Sequence, residues 1–242
     1  MNGLFGRLAL LASIAAAIFV GGAGPAYRYG YVDLGQAFGF MKWGVYAAGG
    51  AGVLAVLWIV FAFIGRSANG LVAFLLALIV AGAAAYVPIT MQATAAKVPF
   101  IHDITTDTAN PPAFVAIAPL RADAPNGVEY KTAENAEAQQ KGYPDIQPMI
   151  SELAPADLFK RAEATARAVG WEIVAADANE GRIEATDTTK WFGFKDDIVI
   201  RIVAEGNGSR LDIRSMSRVG KSDLGKNAER IRAYLAALKD AK

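Results

Sequence analysis

Asp196–Tyr234 reads DDIVIRIVAEGNGSRLDIRSMSRVGKSDLGKNAERIRAY. Ile198, Ile200 and Ile202 alternate with other residues, the period of a strand with one buried face. Asn207-Gly208 is a hairpin signal. Leu211 and Ile213 resume the alternation, with Arg210, Asp212 and Arg214 on the opposite face. Gly220 breaks the chain, and Ser222 or Asp223 is placed to cap a closing helix. Leu224, Ala228, Ile231, Leu235 and Leu238 recur at helical spacing and form its buried stripe. The stretch therefore reads as strand, tight turn, strand, glycine turn, helix.

Upstream, Pro155 suits a first helical turn. Leu158, Phe159, Ala162, Ala166 and Val169 make an apolar stripe that Gly170 ends. Trp171 to Asp177 and Arg182 to Thr188 read as two strands around an Asn179-Glu180-Gly181 turn, with Ile183 and Ala185 facing one way and Arg182, Glu184 and Thr186 the other. Trp191-Phe192-Gly193-Phe194 is an aromatic cluster at a turn. The order helix, four strands, helix predicts an α+β domain over 151–242. It is expected to hold a four-stranded antiparallel sheet, with both helices on its apolar face.

The chain of 242 residues is 54% hydrophobic and carries a net charge of +1. That balance gives no field for nucleic acid. There is no cysteine, so disulfides and thiolate chemistry are excluded. Charge and hydropathy are divided along the chain. Residues 1–97 hold five basic residues and one acidic one, and the remaining residues hold 19 basic and 22 acidic.

Three apolar runs lie in 1–97: Leu4 to Val20, Gly44 to Ile64, and Leu71 to Val87, the last extending through Pro88 and Ile89. A helix crosses a hydrocarbon core with roughly 20 apolar residues, and none of the runs has a polar face. They predict three transmembrane helices in contact with the lipid bilayer. The first run has a second reading, because Arg7, an apolar stretch and Gly22-Ala23-Gly24-Pro25-Ala26 resemble a secretory signal with its cleavage region. Both readings place the turn 65–70 inside and everything after Val87 outside. Arg7 and Arg66 then follow the positive-inside bias, which Arg28, Lys42 and Lys97 dilute. Tyr27, Tyr29, Tyr31 and Trp43 fit an interfacial belt. Gly44, Ala48 and Gly52, and Ala73, Ala77, Ala81 and Ala85, recur every four residues. Such spacing suits close helix packing, either within the bundle or against a partner membrane protein. No ionisable residue interrupts the second and third runs, which argues against a transporter.

Residues 98–150 hold seven of the ten prolines and should be mostly extended or turning. A short helix is expected at Thr132 to Gln140. Apolar residues persist here, among them Phe100, Ile101, Phe114, Val115, Ile117, Ile146 and Met149. They predict a strap packed on the following domain, where a free tether would be poorer in such residues. The sole histidine, His102, sits with Asp103 and Asp107. A metal or acid–base cluster is one reading, and an Asp/Thr-rich turn is the simpler one. No metal or cofactor is assigned.

Phe192-Gly193-Phe194-Lys195-Asp196-Asp197, followed by Arg214 to Ile231 (RSMSRVGKSDLGKNAERI), resembles the signature of the domain-of-unknown-function 1499 family. The resemblance covers roughly residues 98–240. It implies a membrane-anchored or exported bacterial protein, with relatives in chloroplasts, and carries no established activity. Many members open with a cysteine-containing segment. This chain has Ile101 to Pro112 there and no cysteine, so no role for a thiol transfers.

Three readings apply to the charged residues of this stretch. In the first, Asp196 and Asp197 pair with Arg214 or Arg218 across strands and Asp223 caps the last helix, so the ionic groups fix the register. In the second, Arg214, Ser217, Arg218, Lys221, Ser222, Asn227 and Arg230 hold a phosphate or carboxylate, with a lipid head group as the natural ligand. In the third, a hydrolase-type enzyme uses Ser215, Ser217 or Ser222. No histidine lies near these serines, and Asp196 and Asp197 point to opposite faces, so no catalytic residue is assigned. The functional expectation is a multi-pass bacterial inner-membrane protein with a periplasmic domain. That domain is expected to act as a non-catalytic scaffold or assembly factor for a membrane or periplasmic partner. A lipid- or small-anion-binding module is the alternative.

Overall fold

A computed structural model describes residues 2–241 and divides the chain into two compact units. The helical unit runs through Ala96, and the Lys190–Gly193 turn is grouped with it. The second unit comprises Lys97–Thr189 and Phe194 onward.

The helical unit holds α1 (Asn2–Arg28), α2 (Leu34–Gly65) and α3 (Leu71–Ala95). All three are long and apolar enough to cross a membrane. The apolar run of the second helix begins at Gly44, but the helix itself begins ten residues earlier. Asp33 and Gln36 form a capping box there: the Asp33 carboxylate accepts from the Gln36 N–H at 2.7 Å, and the Gln36 side chain accepts from the Asp33 N–H at 3.0 Å. Small residues set the spacing of the bundle. A Cβ on Gly44 would lie 2.4 Å from a Val20 methyl, so α1 and α2 meet there at a distance only glycine allows. Ala48, Ala51, Ala81 and Ala84 are buried against Ala16. Ser13 donates to the Ala77 carbonyl at 2.8 Å, joining α1 to α3. Gly44, Ala48, Ala77 and Ala81 are thus used inside the bundle. Leu11, Ile18, Val53, Val56, Val72 and Ile79 face outward.

The second unit contains β1 (Asp103–Thr105), α4 (Thr132–Gly142), β2 (Met149–Ser151), α5 (Pro155–Ala168), β3 (Glu172–Asp177), β4 (Arg182–Thr188), β5 (Lys195–Glu205), β6 (Gly208–Ser217) and α6 (Lys226–Asp240). A short 3-10 turn, Ala118–Arg121, lies between β1 and α4. The domain is α+β, but the sheet has six strands, and the expectation of four is corrected. The order is β1-β6-β5-β4-β3, with β2 also pairing β6, all antiparallel. The two additional strands come from the connector. β1 aligns Asp103 with Met216, and β2 aligns Met149 with Leu211, so they lie end to end along the outer edge of β6. An uncovered β6 would expose a ten-residue row of backbone donors and acceptors. Gly208 allows β2 to approach, since a Cβ there would meet the Ser151 carbonyl oxygen at 2.0 Å. Gln139 of α4 then closes the edge of β1, accepting from the Thr105 N–H at 3.0 Å and donating to the Thr105 carbonyl at 2.6 Å.

The β5–β6 hairpin pairs Glu205 with Gly208, so the two-residue loop is Gly206-Asn207 and Gly208 already belongs to β6. The register puts Asp196, Ile198, Ile200 and Ile202 on one face with Leu211, Ile213, Ser215 and Ser217. Leu158, Phe159 and Ala162 of α5 and Ala228, Ile231, Tyr234 and Leu238 of α6 complete the core on that side. The opposite face is covered by the connector, where Phe114 and Ile117 pack on Val199 and Met216.

Candidate functional site

Alternation along β4, β5 and β6 sorts the charged residues into two layers. Beneath the connector lie Glu184, Thr186, Asp197, Arg201, Arg210, Asp212, Arg214 and Arg218. On the helix side lie Asp187, Asp196, Ser215 and Ser217. Asp196 and Asp197 therefore serve different layers.

In the connector layer, Asp197 is fully buried. One of its oxygens accepts from Arg121 at 2.7 Å and Arg218 at 2.8 Å, and the other from Thr186 at 2.7 Å and Arg218 at 2.8 Å. Burial pushes this carboxyl up, but the hydrogen bonds from Arg218 and Thr186, with the charges of Arg218 and Arg121, hold it below the usual carboxylate range. Arg121, on the 3-10 turn of the connector, is 2% exposed. Besides Asp197 it donates to the carbonyls of Met216 and Ser217 on β6 and of Asn126 and Gly127, all at 3.0–3.1 Å. Those five bonds use its whole donor set.

Arg214 makes a bidentate pair with Asp103 of β1 at 2.9 and 2.8 Å and donates to the carbonyls of Pro112 and Val128. Its guanidinium also lies 4.9 Å from the Phe114 ring centroid. Burial pushes the nearby Tyr130 phenol up to about 12. Arg201 and Arg210 bridge Asp107 of the connector to Asp212 of β6 at 2.9–3.1 Å. Glu184, fully buried, accepts from the successive N–H groups of Val115, Ala116 and Ile117 at 2.8–3.1 Å and from Arg182. The bonds made by Asp103, Asp107, Arg121 and the Val115–Ile117 N–H groups tie the strap to the sheet.

On the helix side, Asp187 and Asp196 are directly opposed across β4 and β5, a like-charge pairing that needs a cation. Arg230 of α6 supplies it, reaching Asp187 at 2.8–2.9 Å and Asp196 at 2.6 Å. Its remaining donors go to Ser215 and Asn227. Asn227, also buried, donates to Ser217 at 3.0 Å and to the His102 carbonyl at 2.9 Å. Asp223 accepts from the Gly225 and Asn227 N–H groups, both at 2.8 Å, so it occupies the start of α6 from a position just outside it. Burial pushes the Asp223 carboxyl up, against the pull of these two N–H groups.

The residues proposed as an anion site are thus dispersed. Arg214 and Arg218 belong to the connector layer, and Ser217, Asn227 and Arg230 to the helix layer. Ser222 accepts from the Leu224 N–H. Lys221 is exposed, and its carbonyl lies 3.4 Å from His102 Nδ1. The arginines among them already hold carboxylates. His102, Asp103 and Asp107 also diverge: Asp103 turns to Arg214 and Asp107 to Arg201 and Arg210. Among the described residues no three His, Cys, Asp or Glu side chains gather as a metal set. Arg121 and Glu184 belong to the network although neither is among the candidate site residues of the sequence. The signal for them was the mixed-sign charge on the second face of β4–β6, opposite a connector rich in apolar residues.

Fold and network together define a membrane-anchored protein with a distinct globular α+β domain that carries no metal cluster among its described residues and no cysteine. The chain belongs to the family described as Protein of unknown function (DUF1499), whose profile matches residues 103–238. The match opens on the first residue of β1 and closes within α6, so the connector from Asp103 onward lies inside the family domain. No curated protein matches the chain.

Proposed function

We propose that this chain is a bacterial inner-membrane protein whose domain lies on the periplasmic side and docks a membrane or periplasmic partner without catalysing a reaction. The observation that supports this most is the saturation of the charged signature. Asp196, Asp197, Arg214, Arg218 and Arg230 are spent on holding the connector and α6 to the sheet. The serines offer no nucleophile–base pair: Ser215 donates to Asn227 at 2.6 Å, and Ser217 accepts from the same side chain. Apolar side chains remain at the surface. Ile150 and Val203 are 62% and 41% exposed and flank Arg210 in one cross-strand row, and Leu120 stands out from the connector.

The test is a photo-reactive residue at Ile150 or Leu120 in the full chain, irradiated in native membranes. The expected result is one discrete protein adduct, lost in Ile150→Asp/Val203→Asp with the thermal midpoint kept. Adducts to lipid alone would overturn the docking reading. A reporter fused after Lys242 should be active only outside the cytoplasm, and a cytoplasmic signal would reverse the topology.

A further inference from the structure

A pocket of about 240 Å³ opens at the surface between the start of β3, the end of β4 and α6. Trp171 and Tyr234 line it, their rings stacked at 4.7 Å, with Asp187 and Arg230 beside them and Lys226 and Glu229 also in its lining. The hydrogen-bond inventory decides which ligand charge it accepts. Arg230 has no N–H to offer, because its five are engaged by Asp187, Asp196, Ser215 and Asn227. Lys226 is held by Glu229 at 2.7 Å. Asp187, in contrast, uses only Oδ2 toward Arg230, and its Oδ1 has no partner among the described residues while the side chain is 36% exposed. The charged lining is balanced, Asp187 and Glu229 against Arg230 and Lys226, and the buried Asp196 behind Arg230 adds one more carboxylate to that guanidinium. A free carboxylate oxygen next to an aromatic edge is the chemistry that selects an ammonium group carrying a few carbons. The volume limits the ligand to a compact one.

We propose that this pocket binds a small organic ammonium ion, with the charged nitrogen on Asp187 Oδ1 and its carbons against the accessible edge of Trp171, which the buried Tyr234 ring backs. The ligand is either a free amine or the ammonium head group of a phospholipid. Lys226 is then a built-in competitor, since its own ammonium neutralises the rim. This inference is independent of the docking reading.

The test uses the full chain in an uncharged detergent, titrated calorimetrically with ethanolamine, choline and inorganic phosphate at fixed ionic strength. Saturable binding of an ammonium probe is expected. Asp187→Asn should weaken it about tenfold or more. Ala233→Trp, which fills the pocket from an exposed helix position without altering a charge, should abolish it. Lys226→Met should tighten it several-fold, a change of sign that a structural role for Lys226 does not produce. The same chain in nanodiscs of phosphatidylethanolamine or phosphatidylglycerol separates the two sources. Binding of free amine assigns a soluble ligand, and protection of Trp171 only by phosphatidylethanolamine assigns the head group. Absence of binding to every ammonium probe, unchanged affinity in Ala233→Trp, or weaker binding in Lys226→Met would each overturn the proposal.

Discussion

Replacing Arg121 by methionine tests whether the connector is clamped by charge. The substitution keeps the apolar stem and removes five hydrogen bonds: one to the Asp197 carboxylate at 2.7 Å and four to carbonyls. Asp197 is not orphaned, because Arg218 and Thr186 still supply three bonds. The Ser217 carbonyl also keeps the Asn126 side-chain amide at 3.0 Å. The loss is therefore one charge-assisted bond, about 1.5–3 kcal/mol, plus about 1 kcal/mol or more for carbonyls left short of a donor. Relief of the cost of burying a guanidinium offsets part of this. A net loss of about 3 kcal/mol lowers the thermal midpoint by roughly 6–12 °C for a domain of this size. Near-ultraviolet circular dichroism of the full chain in detergent reads that midpoint. Asp197→Leu must cost more, because it leaves Arg121 and Arg218 charged without their carboxylate. The double variant Arg121→Met/Asp197→Leu should then fall short of the summed losses by about 1–3 kcal/mol. Strict additivity, or a midpoint unchanged in Arg121→Met, would refute the clamp.

Four further outcomes follow from the two charged layers. Glu184→Gln should cost about 2 kcal/mol and speed hydrogen exchange at Val115, Ala116 and Ile117, whose N–H groups share its carboxylate; mass-spectrometric exchange checks it. Asn227→Ala should cost about 2–3 kcal/mol, because Ser215, Ser217, Arg230 and the His102 carbonyl lose one common partner; the thermal midpoint reports it. Asp197 is held below its ordinary value in the folded domain, so its stabilisation is complete above the unfolded pKa of about 3.9 and is lost as pH falls through the lower folded value. Asp223 has the opposite sign: its folded value is raised by burial, so protonation on acidification first favours the folded state. Asp197→Asn should lower stability at neutral pH and flatten the acid limb, and Asp223→Asn should steepen it, as read by denaturant unfolding across pH.

The hairpin, both covering helices and the three apolar helices were legible because each repeats a period over many residues. Ile198, Ile200 and Ile202 alternate three times, and the stripe of α6 runs for about three turns from Ala228 to Leu238, with Leu224, expected in it, lying before the helix at φ 54°. β1 and β2 were not legible for the opposite reason. Asp-Ile-Thr and Met-Ile-Ser are too short to show alternation, and they form strands because β6 offers an edge. The early start of α2 rests on the Asp33–Gln36 capping box, a local signal lying outside the apolar run.

The charged signature illustrates a deeper ambiguity. A sequence shows that arginines and aspartates are concentrated, but it does not show which of them meet. Seven basic residues between Asn207 and Arg232 outnumber three acidic ones, which reads as an excess awaiting an anion. The missing carboxylates come from elsewhere in the chain: Asp103 and Asp107 from the connector, Asp187 from β4, and Asp196 and Asp197 from β5. Once these and the arginines that share them, Arg121 and Arg201, are counted, the apparent basic excess is almost cancelled. The free acceptor is Asp187 Oδ1, and the fully engaged guanidinium is Arg230. A basic stretch whose arginines are all engaged on folding therefore leaves no free guanidinium for an anion, and the ligand proposed for the pocket is a cation. Lys226→Met separates these two pictures, because removing one positive charge strengthens a cation site and weakens an anion site.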